Sequence, residues 1–253
     1  MPKKYSDSFV EAFANGLRAI EVFDTGGRSL TLTEVADRAG LSRAASRRYL
    51  HTLYALGYAE YDGKRFKLTP RVLKLGYVFI STGPLPQLAQ PILEDIAGDT
   101  GMPAFLGVLD GLDVVIVARA SPQSGTPLVG VGGRLPAFAS SSGRVMLAAK
   151  RDAEIERMIR RAGRPRQVTL YTKTETADIM REIQNARTAG YATSNKEVAV
   201  GSRSISVAVV TPSGSVVAAI ALVAPARTSA TAKSLQQALP MLQRASQELG
   251  SLQ

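Results

Sequence analysis

Arg43, Arg47 and His51 stand four residues apart in the segment LTLTEVADRAGLSRAASRRYLHTLYAL, residues 30–56, and so share one face of any helix formed there. The two arginines of that face are suited to an anionic polymer. Ala45, Tyr49, Leu53 and Leu56 recur at helical spacing on another face, which is predicted to point inward. Thr31 and Glu34 have the spacing of a capping box at a helix start. Gly40, beside Ala36 and Ala39, supplies a turn that tolerates positive φ where two helices approach. Ser42 is placed to cap the second helix. The result is a helix-turn-helix whose second helix is shaped for the DNA major groove. An arginine-bearing face also describes an ordinary solvated helix, and the shape occurs in proteins that bind no nucleic acid, so neighbouring residues must decide.

They favour DNA. Residues 57–61 (GYAEY) and 65–68 (RFKL) alternate as two short strands around Asp62-Gly63-Lys64, a strong hairpin signal. A hairpin directly after a recognition helix is a wing, and its tip carries Lys64 and Arg65. Residues 41–74 hold eight Lys or Arg against Glu60 and Asp62, a local net charge of +6 within a chain of +10. Clustered positive charge is the footprint of phosphate contact.

The other chemistry-bearing cluster is Ser140-Ser141-Ser142 beside Gly143. A serine nucleophile needs a base, and His51, the only histidine, belongs to the recognition helix. With no cysteine there is neither a thiol nucleophile nor a disulfide, and a structural zinc site is disfavoured. No GxGxxG or GxxxxGK[ST] phrase occurs. The expectation is a non-enzyme without metal or cofactor. No apolar run is long enough to span a bilayer and the first residues lack a secretory core, so the expected location is the cytoplasm.

These residues need a scaffold of 253 residues, 45% of them apolar. Ser8 and Glu11 predict a capping box opening a helix with Phe9, Phe13, Leu17 and Ile20 on one face, ending near Phe23 before Gly26-Gly27. That helix is expected to complete a three-helix core. Residues 71–80 are apolar on nearly all sides, so a helix there needs a partner and suits dimerisation. Gly83-Pro84-Leu85-Pro86 marks a boundary. Beyond it the pattern predicts a helix over 86–100, strands over 104–109 and 114–119, helices over 143–149, 152–162 and 175–189, a hairpin of 205–210 with 216–223, and a last helix over 229–249. Hairpins with helices between them give an α+β domain with an antiparallel sheet flanked by helices.

The phrases GLRAIEVF, LTEVADRAGLSRAASRRYLHTL, LGYAEYDGKRFKLTPRVLKLG, GGRLPAFASSSGRVMLA, GYATSNKEVAVGSRSISVAV and GSVVAAIALVAPA together resemble the IclR family of transcriptional regulators over nearly the whole chain. SRAASRRYL and RLPAFASSSGRVMLA are most similar to the branch of protocatechuate and 4-hydroxybenzoate regulators (PcaR, PcaU and PobR-like). The resemblance implies a winged helix-turn-helix DNA-binding domain over 1–69, a linker helix over 70–83, and a GAF-like effector-binding and oligomerisation domain over 84–253. It further implies a homodimer or dimer of dimers reading a pseudo-palindromic operator, with a ligand shifting the placement of the DNA-reading heads. Arg43, Ser46 and Arg47 are candidates for base edges, since arginine pairs bidentately with guanine. Arg48, Tyr49, Lys64 and Arg65 are candidates for phosphates, with Tyr49 alternatively core. Thr33 and Ser42 complete the DNA-binding set.

By the same resemblance, the effector contacts fall on Phe138, Ser140, Ser141, Ser142, Ser194, Ser204, Ala221 and Val223. Serines at a helix start suit a carboxylate, and an N-cap turn is the alternative. Ser194 stands where keto-acid-binding members tend to carry an acid, and Ala221 and Val223 where they carry hydroxyls. The less polar pocket favours an aromatic carboxylate over a small keto acid, and so control of aromatic-acid catabolism (the β-ketoadipate pathway). Arg119 and Arg134 are candidates for the carboxylate, or tethers for local acids. Glu197 and Arg203 are placed to pair with each other. The remaining alternatives are a keto-acid sensor and a second domain that only oligomerises.

Overall fold

Residues 8–23, 29–122, 129–163, 165–226 and 229–253 are described in the computed structural model, and they divide into two units, Met1–Phe79 and Ile80–Gln253. The first contains α1 (Glu11–Glu21), β1 (Leu30–Thr31), α2 (Leu32–Ala39), α3 (Arg43–Ala55), β2 (Ala59–Tyr61) and β3 (Arg65–Leu68). β1 joins the wing hairpin in a three-stranded antiparallel sheet ordered β1-β3-β2. The capping box is formed at the start of α2: Thr31 N donates to Glu34 Oε2 at 2.7 Å and Glu34 N to Thr31 Oγ1 at 3.3 Å. These bonds satisfy amides that a helix start leaves without partners. Gly40 closes α2 at φ +64°, and Ser42 Oγ accepts from Ala45 N at 3.2 Å to open α3. Phe23, Leu30, Val35, Leu50 and Phe66 fill the core with Ala19.

Three expectations for this unit are corrected. The Ser8 capping box is absent: Val10 is the N-cap of α1 and makes no side-chain cap bond. Phe9, Phe13 and Leu17 are exposed while Ala19 and Phe23 turn inward. A periodic stripe gives a face but not the side the neighbours cover, and here the small Ala19 allows close approach. The expected Gly26-Gly27 stop lies outside the described residues. On α3 the buried residues are Ser46, Leu50 and Leu53, leaving Ala45 and Tyr49 at the margin and Leu56 exposed. This stripe has the same helical period, rotated by one residue.

A 3₁₀ turn, Pro70–Val72, leads into α4 (Leu73–Thr82). The second unit runs α5 (Pro84–Thr100), β4 (Ala104–Asp110), β5 (Asp113–Ala120), β6 (Arg134–Pro136), α6 (Ser141–Leu147), α7 (Asp152–Ala162), α8 (Thr176–Ala189), β7 (Ala192–Asn195), β8 (Ser202–Val210), β9 (Val216–Pro225), α9 (Ser229–Gln237) and α10 (Leu239–Ser251). The predicted last helix is two helices. Pro240 sits in the first turn of α10, where a missing N–H costs no intrahelical bond.

The six strands form an antiparallel sheet ordered β6-β5-β4-β9-β8-β7. Residues of α5, α9 and α10 pack on one face, and those of α6, α7 and α8 on the other. Strand alternation then determines what each face receives. Ile205, Val207 and Val209 of β8, with Ile220 and Leu222 of β9, join the α5/α10 core. The intervening Ser202, Ser204 and Ser206, paired in register with Pro225, Val223 and Ala221, turn to the other side. Small and polar residues there leave space that the large aliphatics opposite do not.

Candidate functional site

The first unit presents its cations on α3 and the wing. Arg43, Arg47, Arg48 and Lys64 are exposed, and among the described residues no acid pairs with them. The wing turn is fixed by Asp62, whose Oδ1 accepts from Lys64 N at 2.8 Å and Arg65 N at 2.7 Å. Those two backbone amides, Arg65 first, hold the Asp62 carboxyl below its ordinary pKa. His51 is exposed but meets the wing edge-on, 5.6 Å from the ring centroids of both Tyr61 and Phe66. It braces the wing against the recognition helix.

The other sequence candidates of this unit divide. Thr33 lies half-buried in the first turn of α2, Ser42 is the N-cap already described, and Tyr49 packs partly buried on the core. Ser46 is corrected: it is fully buried, and its Oγ has no hydrogen-bond partner, so it cannot meet a base edge. Arg65 is only partly available, because Nη1 donates to Ser29 O at 2.7 Å and lies 3.6 Å from Glu34.

In the second unit a cavity of about 270 Å³ opens beside the start of α6. Of the ten effector candidates, Arg134, Ser140, Ser141, Ser142, Ser194, Ser204, Ala221 and Val223 line it. Ser141 Oγ lies 2.7 Å from both Ser204 Oγ and Ser206 Oγ, and Ser142 Oγ 3.1 Å from Ser206 Oγ. Four hydroxyl protons share these three contacts, so at least one proton is left to donate. Ser140 Oγ accepts from Gly143 N at 3.1 Å and keeps its own proton. Ser194 Oγ donates to Ala139 O at 2.7 Å and keeps its lone pairs. The serines are thus N-cap and network members that still have hydrogen-bonding capacity. Gly143 permits this packing, since a Cβ there would stand 2.1 Å from Ala137 O.

Two effector candidates are corrected. Phe138 is buried in the α6/α8 core and does not reach the cavity. Arg119 lies elsewhere: Nη2 donates to Ser121 Oγ at 2.8 Å, and its carbonyl accepts from Gln90 on α5. Arg134 lines the cavity but is tethered to Asp110 at 2.8 Å and Asp113 at 3.1 Å. The Asp110 hydrogen bond, followed by Asp113, raises its pKa above the ordinary arginine value.

The expected Glu197–Arg203 bridge does not form. Arg203 Nε donates to Asn195 Oδ1 at 3.1 Å. Glu197 instead accepts a bidentate pair from Arg144, Nη1 to Oε1 at 2.9 Å and Nη2 to Oε2 at 2.6 Å. Both residues are buried, and Arg144 also donates to Phe138 O and Thr193 O. Thr169 Oγ1 and Thr172 Oγ1 donate to Lys196 O and Glu197 O, each at 2.7 Å. This network joins the 169–172 turn, the 196–197 turn and α6 behind the serines.

Sequence reasoning passed over the apolar wall of Phe105, Ile116, Leu135 and Val198, and also Ser202 and Arg166. Ser202 was recoverable from the Ser-x-Ser-x-Ser alternation of β8. Arg166 lies in an irregular segment with no periodic signal. No described lining residue is acidic. An apolar cavity with convergent hydroxyls and two arginines suits a small organic anion.

The model of the IclR helix-turn-helix domain matches residues 12–63, and that of the bacterial transcriptional regulator IclR C-terminal domain matches residues 79–251. The Pca regulon regulatory protein of Pseudomonas putida is 35% identical, over 95% of this chain and 83% of its own. The p-hydroxybenzoate hydroxylase transcriptional activator of Acinetobacter baylyi is 34% identical, over 98% and 93%. A crystal structure from Rhodococcus sp. RHA1 superposes with a TM-score of 0.78 at 35% identity, covering 96% of this chain and 97% of that one.

Proposed function

The chain belongs to the IclR family of bacterial transcriptional regulators, and from that premise we propose that it controls genes of aromatic-acid catabolism by binding an aromatic carboxylate in the α6 cavity. Residues 1–69 read DNA, 70–83 link, and 84–253 sense the ligand and oligomerise. The observation that carries the proposal is the cavity itself. It is apolar on its β4 and β5 side, rich in hydroxyls at α6, β7 and β8, and free of acids among its described lining residues. Its volume, about 270 Å³, lies just below the roughly 300–1,000 Å³ usual for ligand pockets, which suits one substituted ring. Relatives named for the Pca regulon and for p-hydroxybenzoate hydroxylase support the same ligand class. A second domain that merely oligomerises has no need of such a cavity.

Arg43 and Arg47 read base edges from α3, while Arg48 and Lys64 meet phosphates. Binding of the acid changes operator affinity through a coupling free energy between the two sites. The test is footprinting on DNA flanking the protein's own gene, with and without 4-hydroxybenzoate and protocatechuate. A protected pseudo-palindrome whose half-saturation moves with one acid is expected. Protection indifferent to every aromatic acid would overturn the ligand assignment and leave the DNA assignment standing.

A further inference from the structure

Arg134 and Arg166 are the two cations on the cavity wall, and their circumstances differ. Arg134 is occupied by two carboxylates, Asp110 and Asp113. Arg166 is exposed at the cavity, and among the described residues no carboxylate or carbonyl partners its guanidinium. Its backbone is nonetheless positioned. Pro165 restricts the chain immediately before it. Two residues after it, Val168 N and Thr169 N donate to Thr172 Oγ1 at 3.1 and 2.8 Å. Thr169 and Thr172 in turn hold the carbonyls of Lys196 and Glu197, and Glu197 grips Arg144 of α6. The segment carrying Arg166 is therefore tied through hydrogen bonds to the helix that carries the serines.

The polar groups lining the cavity also differ in burial. Ser140, Ser141, Ser142 and Ser194 are 1–4% exposed, whereas Arg166 is open to solvent. Hydroxyls both donate and accept, so the buried end matches a phenolic hydroxyl as well as it matches any anion. A carboxylate taken to that end would lose its water and find no countercharge among the serines. At the open end it keeps part of its hydration and meets a guanidinium with no carboxylate partner among the described residues, and guanidinium binds carboxylates bidentately. We propose that Arg166 is the carboxylate-binding residue of this cavity, and that a hydroxylated aromatic acid enters ring-first with its hydroxyl among the serines.

This proposal rests on the aromatic-acid reading of the cavity, and calorimetry on the full-length protein separates the two. Wild type, Arg166→Gln and Arg166→Lys are titrated with 4-hydroxybenzoate, protocatechuate and the uncharged 4-hydroxybenzamide. Substituting this exposed arginine is expected to leave the ligand-free melting temperature unchanged. Arg166→Gln is expected to weaken the acids by about tenfold or more, and the amide by less than about twofold, with Arg166→Lys between. Acids bound equally by wild type and Arg166→Gln overturn the role of Arg166 while leaving the cavity as an aromatic-acid site. Equal loss of acid and amide assigns Arg166 to packing and overturns the proposal as well. Wild type binding neither acid overturns the ligand class, and this proposal falls with it.

Discussion

Ser46 and Arg47 are neighbours on the recognition helix with opposite fates. Ser46 is buried with an unpaired hydroxyl, an arrangement that costs about 1–3 kcal/mol of desolvation. Ser46→Ala is therefore expected to leave stability unchanged or raise it by up to about 1 kcal/mol, visible as a higher melting temperature with operator affinity intact. A fall in affinity alone would return Ser46 to the DNA surface. Arg47 is exposed, and among the described residues no acid pairs with it. Arg47→Ala is expected to weaken the operator by about 1–3 kcal/mol and to relax one position of the site. Equal weakening on all sequences would reassign it to phosphate. At this scale residue type was legible, and burial was not. One position of rotation about α3 decides whether a side chain meets DNA or the core, and apolar spacing leaves that rotation open. Arg119 and Phe138 failed for a related reason: a residue can neighbour a cavity in sequence and point away from it. Ser140, Ser141 and Ser142 were legible as consecutive hydroxyls beside Gly143, Ser194 and Ser204 only through the family resemblance, and the alternation on β8 went unread.

Elements were more legible than residues wherever a local device specified them. The α2 capping box, Gly40 and the Asp62-Gly63 turn are written in three or four residues each, and they form as expected. β1, β6 and β7 span two to four residues, too few to show alternation, and only their partners in the sheet stabilise them. Hydrogen bonds from Thr31, backbone first, hold Glu34 below its ordinary pKa, and backbone amides do the same for Asp62. A carboxylate depressed in the folded state contributes stability that is present above its unfolded value and lost as pH falls through the folded one. The winged unit is thus expected to loosen below about pH 4.5, losing hydrogen-exchange protection at α2 and the wing. Thr31→Ala should cost about 1 kcal/mol and reduce that acid sensitivity. The Arg144–Glu197 pair links α6 to the turn after β7, and its energetics follow from burial. Removing one partner strands a charge, so Glu197→Gln is expected to destabilise the second unit by about 3–5 kcal/mol in denaturant unfolding. A loss below about 1 kcal/mol would mean that Glu182, 3.7 Å from Arg144, takes over as countercharge.

At the scale of the whole molecule, the prominent apolar surface lies on α4. Leu73, Leu75, Tyr77, Val78 and Phe79 are each at least 52% exposed, on a helix of ten residues. Large apolar side chains exposed together on one short helix mark an interaction site. The composition of residues 71–80, apolar on nearly all sides, already called for a partner. A second copy fits the family's use of paired half-sites, since two recognition helices on a pseudo-palindrome require two chains. Tethering makes the second half-site encounter intramolecular, which multiplies avidity by about 10²–10⁴ without any new base contact. Replacing Leu73 and Phe79 together by lysine adds two positive charges and removes two large apolar groups. If α4 is the seam, sedimentation should show a lower mass, and operator affinity should fall by about 10²-fold despite the added charge. Affinity for a single half-site should hold or rise, because phosphate attraction grows with positive charge. An unchanged mass would place the seam elsewhere on the chain, and α4 would then serve as linker alone.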